Sequence, residues 1–447
     1  MSRETVRSLI EEQSPEWRRL PLRRIASQGT VNAIFGDRCR AQLRPLWTVL
    51  RRLAQEAEDV MNHGDLPTGD LSVHNGRLLG YWMPAGRPAA ILAAMAAQRV
   101  RGPLAGITWE QARERHSVKW RMYEPDVLPL WVAEMDVALA PPIRAALADA
   151  VARGDTGYAH LGRLGEAFAG FAARRYGWAP DPGRMALVPD VLAGIDAVLR
   201  LVSEPGEGVL VNTPAYPPFF AVVAGTGRRL VESPLAGSAR DGYRLDLDRL
   251  ERDLSRPEVT VYLLCHPHNP TGLVLTRDEL CTVATLATRH RVRLLVDEIH
   301  APLTYPPARH VAIGSIVEDA AQAAVVFASA SKAWNLPGLK AALVVAAGEP
   351  AGQTVSRLPP ELGPGASLFG VLAGEAAFTE GEAWLDALLA DLDVQRHHLA
   401  DLLAGKLPEV GYHMPEATFL AWLDLRGLDP GGLDPGGLDP GGLDLRG

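Results

Sequence analysis

Three apolar runs that each end in a polar cluster constrain this chain more than anything else in it. Val261-Tyr262-Leu263-Leu264 runs into His266-Pro267-His268-Asn269-Pro270-Thr271-Gly272. Val292-Arg293-Leu294-Leu295-Val296 runs into Asp297-Glu298-Ile299-His300. Ala324-Val325-Val326-Phe327 runs into Ser329-Ala330-Ser331-Lys332-Ala333-Trp334-Asn335-Leu336. Each run is β-branched or leucine-rich without polar alternation, the pattern of a parallel strand buried on both faces. In open α/β sheets ligands bind outside the carboxyl ends of the strands, so three such clusters point to one site. Asn269 and Asp297 lie 28 residues apart, and Asp297 and Lys332 lie 35 apart. Each interval is about one strand-helix-strand unit of roughly 30 residues.

A lone Ser-x-Ser-Lys is cheap by chance and by itself reads as a surface lysine in a loop. With the other two clusters beside it, the residue types fit one cofactor, pyridoxal phosphate. Lys332 is then a Schiff-base lysine, desolvated and nucleophilic. Asp297 pairs with the pyridine nitrogen and keeps it protonated, which makes the ring an electron sink for a carbanion at the substrate Cα. Asn269 donates to the ring phenolate oxygen, and the hydroxyls of Ser329 and Ser331 hold phosphate oxygens. A further helix opens at Pro189-Asp190-Val191-Leu192-Ala193-Gly194 and runs to Leu201. The N-H groups at its start, at Val191 and Leu192, are a cradle for the cofactor phosphate.

Asn-Pro-Thr-Gly, Asp and Ser-x-Ser-Lys in this order resemble the fold-type I pyridoxal-phosphate enzymes, the class I/II aminotransferase superfamily. The match narrows to the MalY/PatB-type cystathionine β-lyases, or cysteine-S-conjugate β-lyases. It is carried also by Pro129-Leu130-Trp131-Val132-Ala133-Glu134-Met135-Asp136, Thr213-Pro214-Ala215-Tyr216, Asp297-Glu298-Ile299-His300-Ala301 and the continuation Pro337-Gly338-Leu339. The resemblance covers about residues 105–428. It implies an α/β fold with a mainly parallel, seven-stranded type of sheet in a large domain. It also implies that Tyr216 stacks on the pyridine ring, that His300 hydrogen-bonds near the cofactor, and that Lys340 stands where many relatives place a phosphate-binding arginine. A lysine there supplies charge without the bidentate fork. Tyr158, after Gly157, would reach the cofactor phosphate of a neighbouring subunit, which implies a homodimer with shared sites.

Composition excludes several other classes. The formal net charge is −8 and the pI near 5.9, with no basic patch, so nucleic acid is not an expected partner. Cys39, Cys265 and Cys281 are too few and scattered for a disulfide framework or a zinc site, and fit a reduced, cytoplasmic setting. His266, His268 and His300 gather near the site but have no carboxylate at a metal-ligand spacing, so no metal is expected. The first 30 residues mix charges throughout without an apolar h-region, and no apolar run reaches the ~18 residues of a membrane span.

Residues 1–104 read as an addition to the enzyme core, with helices over 4–16 and 43–61 and a glycine turn into a strand at 27–35. His63-Gly64-Asp65-Leu66-Pro67-Thr68-Gly69-Asp70-Leu71, followed by Gly76-Arg77-Leu78, resembles the catalytic loop of aminoglycoside-phosphotransferase-type kinases, with Asp65 matching the catalytic aspartate. The metal-binding asparagine would fall at Asp70 and no second metal aspartate follows. The expectation is therefore a remnant without kinase activity. An alanine-rich linker occupies 88–106, the enzyme begins at Trp109, and a helix spans Pro141 to Arg153 with proline at its start.

The large domain is expected over 105–384 and a smaller C-terminal domain over 385–427, entered by a helix from Leu385 to Leu403 and containing a strand from Thr418 to Leu423. Three copies of Leu-Asp-Pro-Gly-Gly fill 428–442, and 428–447 reads as a flexible tail. The resemblance implies a longer small domain carrying an arginine that clamps the substrate carboxylate. After Arg396 only Arg426 and Arg446 remain, so the small domain is expected to be truncated and the substrate site impaired. Three functions stay open at this point. A β-lyase would act on a small amino-acid S-conjugate such as cystathionine. An aminotransferase would share its first steps, and a fused relic would have little or no activity.

Overall fold

A computed structural model describes residues 102–123 and 129–427. The helices expected over 4–16 and 43–61, the kinase-like loop with Asp65, most of the linker and the pentapeptide repeats lie outside the described residues.

Seven strands form the central sheet: β1 (Met185–Val188), β2 (Gly208–Thr213), β3 (Arg229–Pro234), β4 (Val259–Cys265), β5 (Arg293–Asp297), β6 (Val325–Ala328) and β7 (Ala342–Ala346). Their order is β1-β7-β6-β5-β4-β2-β3. All neighbours pair parallel except β7, which runs antiparallel to both β1 and β6. The sheet is the mainly parallel one that the apolar runs predict.

Why those runs lack polar alternation is visible in the packing. Successive side chains of a strand point to opposite faces, and here each face has its own core. Val261, Leu263 and Leu295 pack with Ile195, Val198 and Leu199 of helix α3 (Val191–Val202). Tyr262, Leu264, Leu294 and Val296 pack instead with Leu280, Val283 and Ala287 of α4 (Arg277–His290) and with Phe168 and Phe171 of α2 (Leu164–Tyr176). Both faces are therefore apolar, and polar groups appear only where a strand leaves the sandwich.

The helices begin where local chemistry says they should. α1 (Pro141–Arg153) starts at a proline and stops at Gly154, whose φ of 67° is left-handed. Asp190 caps α3 by accepting from Ala193 N at 2.8 Å, and Thr276 and Glu279 form a reciprocal capping box on α4. α5 (Leu368–Glu380) leads into α6 (Glu382–Lys406), which contains the helix expected from 385 to 403 and extends it at both ends. At the amino end Pro103–Gly106 forms a 3-10 turn, and Leu104 N donates to Asp391 Oδ2 of α6 at 3.0 Å.

One expectation fails. Residues 418–423 are not a strand; only Leu423–Asp424 pairs, with Gly411–Tyr412. Thr418 is buried at φ 73°, a left-handed conformation costly for a β-branched residue. Its backbone bonds go to loops: its N-H donates to Leu303 O at 2.9 Å, and its carbonyl accepts from Tyr305 Oη at 2.6 Å. Tertiary hydrogen bonding has overridden a local β preference. Among the described residues no helix is long and apolar enough to cross a membrane.

Candidate functional site

The ladder register sets the site. Cys265 lies opposite Asp297, and Asp297 opposite Phe327, so β4, β5 and β6 end side by side. The three polar clusters that follow them must therefore share one edge of the sheet.

Asp297 is buried, and its Oδ1 accepts from Ile299 N at 3.1 Å. Burial pushes its carboxyl up to about 7, against the backbone hydrogen bond and the nearby Lys332 amine. Burial likewise lowers the Lys332 amine, while Asp297 and Glu134 pull it back up. Lys332 Nζ points at Ala133 O, 3.5 Å away. His300 is buried, and its Nδ1 has no hydrogen-bond partner among the described residues. Burial holds it at about 3, with Lys332 and His268 adding to the effect. His268 contacts Thr271 Oγ1 at 2.9 Å and is held at about 4, again chiefly by burial. Both imidazoles are thus neutral across the physiological range. Tyr216 lies close enough to Asp297 to feel its charge; burial first, and that carboxylate second, raise its phenol to about 12.

The neighbouring glutamate turns the other way. Glu298 accepts from Ile313 N at 2.8 Å and lies 3.3 Å from His310 Nε2, beneath the sheet end. The strand ends at Asp297, and the contacts of Glu298 with Ile313 and His310 hold it apart from Asp297.

The remaining predicted residues fall into two groups. Val191 and Leu192 form the first turn of α3, and Lys340 Nζ pairs with its cap Asp190 at 2.9 Å, both side chains partly exposed. An anion arriving at this helix end would compete with Asp190 for Lys340. Ser329 Oγ donates to Ala341 O at 2.7 Å and accepts from Ser331 N at 3.1 Å, so its proton is already committed. Asn269 is half-buried in the loop after β4. Tyr158 stands apart, 88% exposed on the loop between α1 and α2. Of the two described arginines from Arg396 onward, Arg396 donates to Asp393 and Pro415 O and covers the Tyr305 ring, and Arg426 pairs with Asp424. Among the described residues no group of His, Cys, Asp or Glu is arranged to hold a metal ion.

Residues 125–431 match the model of aminotransferase class I and II. The chain belongs to this family. Within the family, a Mycobacterium leprae protein assigned as a cystathionine β-lyase is 48% identical over 334 residues, 73% of this chain and 81% of that one. The cystathionine β-lyase of Corynebacterium glutamicum is 35% identical over 321 residues, 71% of this chain and 84% of that one. Among solved structures, the PLP-bound C-S lyase from Staphylococcus hominis is 26% identical, with a TM-score of 0.63 over 70% of this chain and 80% of that one. The sheet with its single reversed strand is thus the fold of PLP-dependent class I and II aminotransferases.

Sequence reasoning missed the clamp beside Lys332. Asn335 Oδ1 accepts from Met135 N and its Nδ2 donates to Met135 O, both at 2.8 Å. A signal existed: Asn335 has φ 56°, and asparagine is among the few non-glycine residues that tolerate the left-handed region. Its partner, 200 residues earlier, has no signature.

Proposed function

We propose that this chain is a pyridoxal-phosphate-dependent carbon-sulfur β-lyase that cleaves cysteine S-conjugates such as cystathionine to a thiol, pyruvate and ammonia. The observation that carries it is the desolvated Lys332 amine facing buried Asp297 at the strand ends, in a chain 48% identical to a β-lyase-type relative. The residues present fit the cofactor. Asp297 holds a buried carboxyl whose charge asks for a cationic partner, His300 keeps an unpartnered ring nitrogen, and the first turn of α3 offers N-H groups.

Bound at this edge, pyridoxal phosphate would supply an electron sink for the carbon that loses its proton. Lys332 would hold it covalently; Asp297 would sit against its ring nitrogen, Asn269 and His300 against its ring oxygen side, and Tyr216 on its face. Val191, Leu192, Ser331 and Lys340 would receive its phosphate, with Ser329 acting through Ser331 N unless its hydroxyl turns. A lowered amine pKa leaves more Lys332 neutral near neutral pH, the form that removes a proton from the substrate Cα. His300 and His268, both neutral, add no charge that would compete with Asp297.

The same reading includes a large domain over 105–384, a smaller one from 385, a homodimer and a cytoplasmic setting. Exposed Tyr158 and Leu130 support a partner subunit, and the free Cys265 and Cys281 suit a reducing compartment. An aminotransferase is the second reading, favoured by 32% identity over 277 residues to an N-succinyldiaminopimelate aminotransferase of Mycobacterium tuberculosis. Incubating the protein with pyridoxal phosphate and cystathionine separates them. Pyruvate released without a 2-oxo acid supports the lyase; turnover only with a 2-oxo acid supports the transferase.

A further inference from the structure

The turn that carries Lys332 is held from both sides. Leu336 N donates to Ser331 O at 2.8 Å, Trp334 N to Ala330 O at 3.1 Å, and the buried Trp334 ring nitrogen to Gly381 O at 3.1 Å. Asn335 ends this turn in the left-handed region, and its amide grips both backbone groups of Met135. That grip places the preceding residues: the Ala133 carbonyl is the group Lys332 Nζ reaches, and Glu134 is among the charges it feels. Glu134 is itself tied by Ser117 Oγ at 2.6 Å, and Lys119 Nζ donates to its carbonyl at 2.9 Å. No regular strand supports residues 131–136, so the two Asn335 bonds join them to the lysine turn.

We infer that Asn335 is a positioning residue for Lys332, clamping the 133–135 backbone so that the Ala133 carbonyl receives the amine whenever it is free. The inference rests on the lyase reading for its kinetic consequence, but not for its geometry. A free amine on a four-carbon stem has many rotamers. A fixed acceptor keeps it near the reacting carbon, where misplacement by about 1 Å can cost roughly 10²-fold in rate.

The test uses the full chain and two readouts. Asn335→Gly retains the left-handed backbone and removes the clamp. Without added pyridoxal phosphate, the pH dependence of Lys332 acetylation by acetic anhydride, read by mass spectrometry, reports the amine directly. The groups facing that amine are Asp297 and Glu134, which raise its pKa, Lys340, which lowers it, and neutral His300. Burial is the largest influence and lowers it, while the Ala133 acceptor and Glu134 favour the charged amine, so losing their fixed placement should move the midpoint down and speed labelling at a given pH below it. With cofactor and cystathionine, kcat should fall roughly 10- to 100-fold while KM changes less than about threefold. A midpoint that stays or moves up, in a protein melting like wild type, overturns the inference. If Asn335→Gly does not fold, Asn335→Ser adds no charge and is too short to reach both Met135 groups; it should shift the midpoint the same way, and an unshifted profile overturns the inference equally. Absence of pyruvate in the wild type would defeat the lyase reading alone and leave the labelling result standing.

Discussion

The edge formed by β4, β5 and β6 and the segments that border it, 131–136 and 414–420, are built by different means. At the edge, backbone ladders place every polar cluster: once Cys265 pairs with Asp297 and Asp297 with Phe327, the loops after them have little choice. The bordering segments lack a ladder of their own and are held by individually placed side-chain and loop-backbone bonds, several of them from far along the chain. Asn335 holds Met135, Tyr305 holds the Thr418 carbonyl, and Arg396 holds the Pro415 carbonyl at 2.8 Å. A ladder repeats one bond in register along two strands, whereas these tethers are single contacts, each specific to its own pair of residues. Substitutions at the edge should therefore change chemistry with the fold intact, and substitutions of tethers should change stability and position together.

The largest expected effect is at the edge. Lys332→Ala should lower pyruvate formation from cystathionine roughly 10⁴-fold or more while leaving the melting temperature close to wild type. Asp297→Asn should cost roughly 10²- to 10³-fold in kcat, because an amide cannot supply the anion; equal kcat in the two proteins would remove Asp297 from the proposed site.

Protonation sharpens the contrast. Without cofactor, the Asp297 carboxyl sits at about 7 in the folded chain, above the ordinary ~4. Its contribution is fully present below pH ~4 and is lost as pH rises through about 7, by up to a few kcal/mol at roughly 1.4 kcal/mol per unit. His300 and His268, held at about 3 and 4, act in the opposite sense: their contribution is present above pH ~6.5 and is lost as pH falls toward those values. Unfolding midpoints measured from pH 4 to 8 on the cofactor-free protein should show Asp297→Asn raising stability relative to wild type at pH 8 more than at pH 5. Equal differences at both would contradict the assigned cause.

Smaller effects belong to the tethers and the mouth. Tyr305→Phe removes the hydrogen bond to Thr418, whose left-handed backbone depends on such contacts, and should destabilise the chain by about 1–2 kcal/mol in urea unfolding. Lys340→Ala should weaken cofactor binding only a few-fold, because Lys340 is largely exposed and already engaged by Asp190; a hundredfold loss in a cofactor titration would make it a principal phosphate ligand.

Strand positions were readable because burial on both faces leaves a continuous apolar run. The helix from Pro141 to Arg153 was readable because its start and stop residues are local. The cluster of Asn269, Asp297 and Lys332 was readable through spacing, since one crossover separates each from the next. The expected strand at 418–423 fails for the converse reason: Thr418-Phe419-Leu420 has β-forming residues, yet its backbone groups find partners at Leu303 and Tyr305. The grip of Asn335 on Met135 and the commitment of the Ser329 hydroxyl to Ala341 belong to the same kind.

The order and composition of residues determined by themselves the sheet, the edge and the chemical groups brought to it, because burial patterns and crossover lengths are properties of neighbouring residues. Tertiary structure alone decided which carboxylate meets Lys332 and which turns to His310, what holds the segment over the amine, and how far each group is desolvated. Those outcomes depend on contacts between residues one or two hundred positions apart, and on the exclusion of water that only the assembled fold provides.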